Sequence, residues 1–268
     1  MKNILMLGFA ALAFGLPCAL EAVDEVSRLE ARIAAAERGS DANNAEEIRI
    51  HSPDRAKAER FVATQRDDGT WPEVDYGDKS LGGWRTAIGH LRTRALFLAR
   101  SGGYEDAVKR ALDWWARERP QSPNWWWNEI GAPQDFALAA IMIAPSLTDA
   151  DRARYADYLK CSEIKRTGQN RVWLSRIVMM RGVIARDEKL VDKAVAAIAA
   201  ELRVSAGNEG VADDWSFRQH GPQMQFGGYG LSFALNMSRM VRELGGTGWR
   251  LDDARTEVLS SLMENGFR

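Results

Sequence analysis

The chain has 268 residues, 46% of them hydrophobic, with 36 Lys and Arg against 37 Asp and Glu. That length allows one large domain or two small ones, and the apolar share supplies a sizeable core. A net charge of −1 gives no general attraction to nucleic acid, so recognition has to come from local chemistry.

The first 22 residues read as a signal peptide. Lys2 supplies the positive charge, Ile4 to Leu16 is an apolar run too short to span a bilayer comfortably, and small residues follow around Cys18, Ala19 and Ala22. Export to the periplasm or the medium is expected, with no membrane attachment after cleavage. A buried helix and lipid attachment at Cys18 are the alternatives, and Pro17 fits the latter poorly. The mature chain keeps Cys161 as its lone cysteine, which builds no disulfide framework. His51, His90 and His220 are far apart, and no HxxxH or CxxC spacing occurs, so no metal site is expected.

Residues 23–52 form a charged, Ala-rich lead-in, either a short helix or a mobile stretch. From residue 53 to 268 the chain reads as one helical domain. Pro53 opens a helix-like stretch from Asp54 to Gln65, and Asp67 to Pro72 is a turn cluster. Ala87, Leu91, Ala95 and Leu98 share one helical face, as do Ala107, Val108, Ala111, Leu112 and Trp115. Phe136 to Ile143 is apolar on most sides. Thr148 to Asp151 has the pattern of a capping box, in which hydroxyl and carboxylate satisfy free N–H groups of the next helix. Helices follow over Val172 to Ile184, along Val191, Ala194, Val195, Ile198 and Leu202, and over Leu231 to Leu244, closed by Gly245 and Gly246. Alternating patterns are scarce, so few strands are expected. The class is all-α, as a helical bundle or an α/α toroid.

Three segments carry candidate chemistry. In the first, Asn124-Trp-Trp-Trp-Asn-Glu-Ile-Gly-Ala-Pro-Gln134, three consecutive Trp cannot share one face of a regular element, so at least one is exposed. An indole face can stack on the C–H face of a sugar, and Asn124, Asn128 and Gln134 can bond hydroxyls or amides. A core-packing cluster is the alternative. In the second, Thr167-Gly-Gln-Asn170-Arg171, Asn170 opens a helix, either as its cap or as an amide donor to a substrate carboxylate. The third, Asp214 to Gly230, joins His220 and Tyr229 in one Gly-rich aromatic segment that reads as a loop. His exchanges a proton near neutral pH, and Tyr does so in a suitable site. A structural His and a packing Tyr are the alternative.

Taken together these motifs resemble polysaccharide lyase family 8, which includes hyaluronate, chondroitin and xanthan lyases. The three occur in family order with family-like spacing, and Asp68-Gly-Thr-Trp71 is similar to an early turn of that family. The resemblance runs from about Pro53 to Leu244 and implies an incomplete α/α toroid that binds an anionic, uronate-containing polysaccharide without metal or organic cofactor. It also implies β-elimination. Asn170 would hold the uronate carboxylate, and His220 would assist there or act as base, depending on the epimer. Tyr229 would take the C5 proton and return one to the leaving oxygen. Trp125 and Trp126 would form an aromatic patch, flanked by Trp127 and Asn128. The family carries catalytic arginines well downstream of the tyrosine, followed by β-sandwich domains. Arg250, Arg255 and Arg268 sit too near Tyr229 to match, so the sequence reads as an N-terminal part of such a lyase. Two other readings remain: a glycoside hydrolase on a similar toroid, using two carboxylic acids from Glu129, Asp213 and Asp214, and a carbohydrate-binding protein without catalysis.

Overall fold

The computed structural model describes residues 24–39, 54–206 and 208–267. The leader at 1–22 with Cys18, His51 and Arg268 lie outside them. The chain is built of helices with two very short strands among the described residues.

Helix α1 (Glu25–Arg38) starts where the Asp24 carboxylate accepts the Ser27 N–H at 2.8 Å, and Gly39, at φ 67°, ends it. Its charges mask a narrow apolar stripe. Val26, Leu29 and Ile33 are spaced three and four apart and are buried in the same core as residues beyond 53. The boundary at residue 53 therefore does not separate α1 from the fold. Helix α2 (Arg55–Thr64) is capped by Asp54. In the turn that follows, the Asp68 carboxylate accepts both the N–H and the hydroxyl of Thr70. This wedges the buried Trp71 inward, where its indole N–H donates to the Phe61 carbonyl at 2.7 Å.

A continuous helical rod, α3, runs through Arg85–Ala87, a π-bonded stretch Ile88–Ala95 and Leu96–Ser101. Helix α4 (Glu105–Glu118) buries Val108, Leu112 and Trp115 on one face. A π turn, Trp127–Gly131, leads into α5 (Ala132–Met142). The capping box at Thr148 and Asp151 is formed in both directions and starts α6 (Asp149–Tyr158). Helix α7 (Gly168–Ala185) turns back at Arg186, φ 57°, into α8 (Glu188–Ala199). Strands β1 (Gly210–Val211) and β2 (Phe217–Arg218) pair antiparallel. A second π turn, Phe226–Gly230, opens α9 (Leu231–Leu244), and α10 (Asp253–Ser261) follows.

Helices α5 and α7 are buried on nearly every side and form the centre, packed against each other, with α1 against both and α3, α6, α8 and α9 around them. The result is an incomplete α/α toroid. Charged groups tie the inner helices together. Arg176 on α7 and Glu243 on α9 are fully buried and paired at 2.7 Å. Glu37 on α1 is held by Arg100 of α3 at 2.7 Å and by Arg239 of α9 at 2.8 Å. Buried carboxylates persist only with such partners.

Candidate active site

The three motifs found in sequence open α5, α7 and α9. Successive helices of a toroid alternate in direction, so these three starts come together at one end. Ring contacts confirm the convergence. Trp126 lies 5.1 Å from Trp127 and 5.7 Å from Trp173, Trp173 lies 5.9 Å from Tyr229, and Tyr229 lies 5.0 Å from His220, centroid to centroid. Trp173 is the link between motifs that sequence reasoning missed. A single Trp within an apolar helix reads as core, but its position three residues after Asn170 puts both on one face of α7.

The Trp segment splits three ways. Trp125 is 38% exposed, Trp126 is half-buried, and Trp127 is buried with its indole N–H donating to the Gly82 carbonyl at 2.5 Å. The expected exposed indole is therefore Trp125, and Trp127 is a packing residue. Gly131 is fixed by this arrangement, because a Cβ there would lie 2.5 Å from the rings of Trp126 and Trp127. Asn124 and Asn128 hold the segment. The Asn124 amide accepts the Trp126 N–H at 3.0 Å and donates to the Leu81 carbonyl at 2.7 Å. Asn128 accepts the Ser122 N–H and donates to the Ser122 carbonyl, both at 2.8 Å. Both amides are thus occupied within the fold, as supports of the aromatic patch. The Gln134 Oε1 atom is buried without a hydrogen-bond partner among the described residues.

Asn170 is not a helix cap. Helix α7 starts at Gly168 after Thr167, which makes no side-chain cap. Other side chains satisfy the free N–H groups of the first turn. Gly168 donates to Glu201 and Gln169 donates to the Gln219 amide oxygen, both at 2.9 Å. A Cβ at position 168, where φ is 57°, would lie 2.5 Å from that Gln219 oxygen, so a side chain there would displace Gln219 from the first turn. Asn170 is left 6% exposed, its Oδ1 unpartnered among the described residues. Buried polar atoms without partners are uncommon in native folds and call for an explanation. The nearby positive end of the α7 dipole favours an anion.

His220 stands at the tip of a tight hairpin. Gln219 N–H donates to the Gln223 carbonyl at 3.0 Å, and His220 and Gly221 both take left-handed backbone, φ 60° and 79°. Glu209 clamps this tip to α7, accepting from the Thr167 hydroxyl, the Gln219 amide and the Gly221 N–H. Neither Glu209 nor Gln219 was visible as a support in sequence, because their partners lie up to 52 residues away. Tyr229 was expected in a loop. It sits instead in the π turn that opens α9, half-buried and edge-on to the exposed His220 ring at 90°. Such π turns recur at functional sites.

Two of the three carboxylates considered for hydrolysis are engaged elsewhere. Glu129 pairs with Lys165 at 3.1 Å. Asp214 accepts the Ser216 N–H at 2.9 Å, and its hydrogen bonds to Ser216 hold its carboxyl below the usual range, opposite to what a general acid needs. Arg250 pairs with Asp253, and Arg255 pairs with Asp252 and donates to the Ala199 carbonyl, so both serve α10. Among the described residues no group of three or more His, Cys, Asp or Glu is arranged to hold a metal ion.

Comparison with known proteins agrees with this fold. Chondroitinase-AC of Pedobacter heparinus is 25% identical over 223 residues, 78% of this chain and 32% of that protein. Hyaluronate lyase of Thermasporomyces composti is 30% identical over 230 residues, 79% of this chain and 29% of that protein. A solved chondroitinase AC lyase shares the fold with a TM-score of 0.80 at 22% identity, covering 91% of this chain and 37% of that one. The chain thus spans about a third of the length of the relatives it matches. The model of the polysaccharide lyase family 8 N-terminal alpha-helical domain matches residues 69–268, and with the three converging motifs this identifies the chain as a member of that family.

Proposed function

We propose that the protein is an exported lyase, and that this chain supplies the helical part that binds a uronate-containing polysaccharide and cleaves it by β-elimination. The observation that carries this reading is the convergence of Asn170, in the first turn of α7 and three residues before Trp173, with the Tyr229 ring that Trp173 contacts and the His220 ring beside it. The C5 proton of a uronate is weakly acidic, since its removal adds charge beside a carboxylate. Asn170 donates to that carboxylate and favours its enolate-like form. Tyr229 removes the C5 proton, with His220 as the neighbour able to accept the phenolic proton. The C5 electron pair forms the C4–C5 double bond as the C4–O4 bond breaks, and Tyr229 returns a proton to O4. No residue needs to attack carbon.

The test is ultraviolet absorbance of the full-length protein incubated with hyaluronan, unsulfated chondroitin and xanthan. A rising absorbance from unsaturated uronate ends, abolished by Asn170→Ala, supports the reading. Cleavage that leaves only saturated ends would refute it. A second reading, binding without turnover, draws on the engagement of Arg250 and Arg255 on α10. Saturable binding with no product after prolonged incubation would favour it.

A further inference from the structure

The exposed indole of the aromatic patch is covered. The Arg166 guanidinium carbon lies 3.7 Å from the centroid of the Trp125 ring. One face of Trp125 therefore carries a cation in van der Waals contact, not open solvent, and a sugar cannot stack there while Arg166 stays. Arg166 is held in left-handed backbone, φ 67°, in the connection that leads into α7. Non-glycine residues in that region are uncommon, and they persist where the surrounding structure fixes them.

The charge on Arg166 is largely unspoken for. Its one carboxylate neighbour among the described residues is Glu129 at 3.8 Å, beyond hydrogen-bond reach, and Lys165 approaches the same Glu129 oxygen more closely, at 3.1 Å. Lys165 compensates Glu129, and Arg166 remains as the excess cation, its donors meeting no acceptor at hydrogen-bond distance among the described residues. The indole below restrains the guanidinium and favours its charge. A planar fork held this way suits a carboxylate or sulfate, which it can bind through two parallel N–H···O bonds. Trp125 adjoins Trp126, and Trp126 is two ring contacts from Tyr229 through Trp173. Trp125 just precedes the turn that opens α5 and Arg166 just precedes α7, so the pair lies at the end of the helices that carries Asn170 and Tyr229.

We infer that Arg166, seated on Trp125, forms a subsite for an oxyanion substituent, carboxylate or sulfate ester, on a sugar flanking the scissile bond. In this role Trp125 is the platform of the arginine and not of the sugar. The inference rests on the proposed cleft and gives it a means of discriminating among anionic polymers.

The experiment is isothermal titration of the full-length Tyr229→Phe protein, which binds without turnover, at low salt. The ligands are hexasaccharides of hyaluronan, unsulfated chondroitin and sulfated chondroitin. Arg166→Ala and Arg166→Gly are compared with the parent, glycine being the variant that tolerates the left-handed backbone. Loss of about tenfold in affinity is expected for the ligand that uses the subsite, with only partial recovery in Arg166→Lys, which keeps the charge without the fork. Loss confined to sulfated chondroitin identifies the sulfate ester as the group bound. Equal loss on all three identifies the carboxylate. Unchanged affinity for every ligand that the parent binds overturns this inference alone. A parent that binds none of them overturns the proposed function with it.

Discussion

Two histidine–tyrosine pairs among the described residues have opposite fates. Tyr76 and His90 are locked in the core. The His90 Nε2–H donates to the Ala111 carbonyl at 3.0 Å, Nδ1 accepts from the Tyr76 hydroxyl at 2.8 Å, and that hydroxyl in turn accepts the Trp71 N–H. Trp71, Trp114 and Trp115 surround the imidazole. Burial lowers the His90 pKa to about 4 and pushes Tyr76 up to about 12. His220 and Tyr229 meet edge to face with no hydrogen bond between them, one exposed and one half-buried, on a strained hairpin tip and a π turn. The first pair has every polar atom answered within the fold and is structural. The second leaves its polar atoms for something else. Residue type does not separate the two; hydrogen-bond completeness does.

Crossing the two tyrosines is the sharpest way to break this comparison. Tyr229→Phe should lower turnover by about 10²–10⁴-fold, the usual worth of a positioned proton-transfer group, and leave the melting temperature nearly unchanged. Tyr229→Phe with normal turnover would remove it from the mechanism.

The pH dependence of stability tests the buried, neutral state of His90. His90 binds its proton less readily in the fold, at a pKa of about 4, than at its ordinary 6.5 in the unfolded chain. The unfolded chain therefore takes up more protons as pH falls. The contribution of neutral His90 is complete above about 6.5 and is lost between there and about 4, amounting to about 3 kcal/mol. Asp135 works in the opposite direction over part of this window, because burial raises its pKa to about 6 and the fold takes up that proton first. Comparing urea unfolding of the parent and His90→Gln at several pH values cancels the Asp135 contribution. A difference that does not change with pH would contradict the buried neutral assignment.

Tyr76→Phe should cost about 2 kcal/mol, since it strips His90 Nδ1 and the Trp71 N–H of their partner, with catalytic constants of the folded fraction unchanged. The smallest effect is expected for His220→Gly. It should stay within about 1 kcal/mol of the parent in stability, since glycine relieves the left-handed backbone, yet lose activity. A large stability loss there would mean that His220 is a packing residue after all.

Much of the fold was legible because it rests on local pattern. The capping box at Thr148 and Asp151, the apolar run from Phe136 and the periodic face from Val191 to Leu202 need no distant partner to be recognised. Helix α1 was read as a lead-in because Glu37 is a poor core residue until Arg100 and Arg239 arrive from other helices. The same holds in the site. Asn170, His220 and Tyr229 stood out by motif, but Asn124 and Asn128 could not be told from ligand-binding amides until their backbone partners were seen. The π turn at Tyr229 was hidden by its glycines. The Glu209 clamp, the Trp173 link and the arginine over Trp125 depend on contacts between motifs, which sequence spacing does not display.

The central claim is that the Asn170, His220 and Tyr229 group removes a proton instead of delivering water. The most direct measurement is the mass of oligosaccharide products formed by the full-length protein in oxygen-18 water. Elimination predicts that the products of each cut sum to the mass of the substrate and carry no solvent oxygen. Products heavier by one water per cut, with the label incorporated, would contradict it.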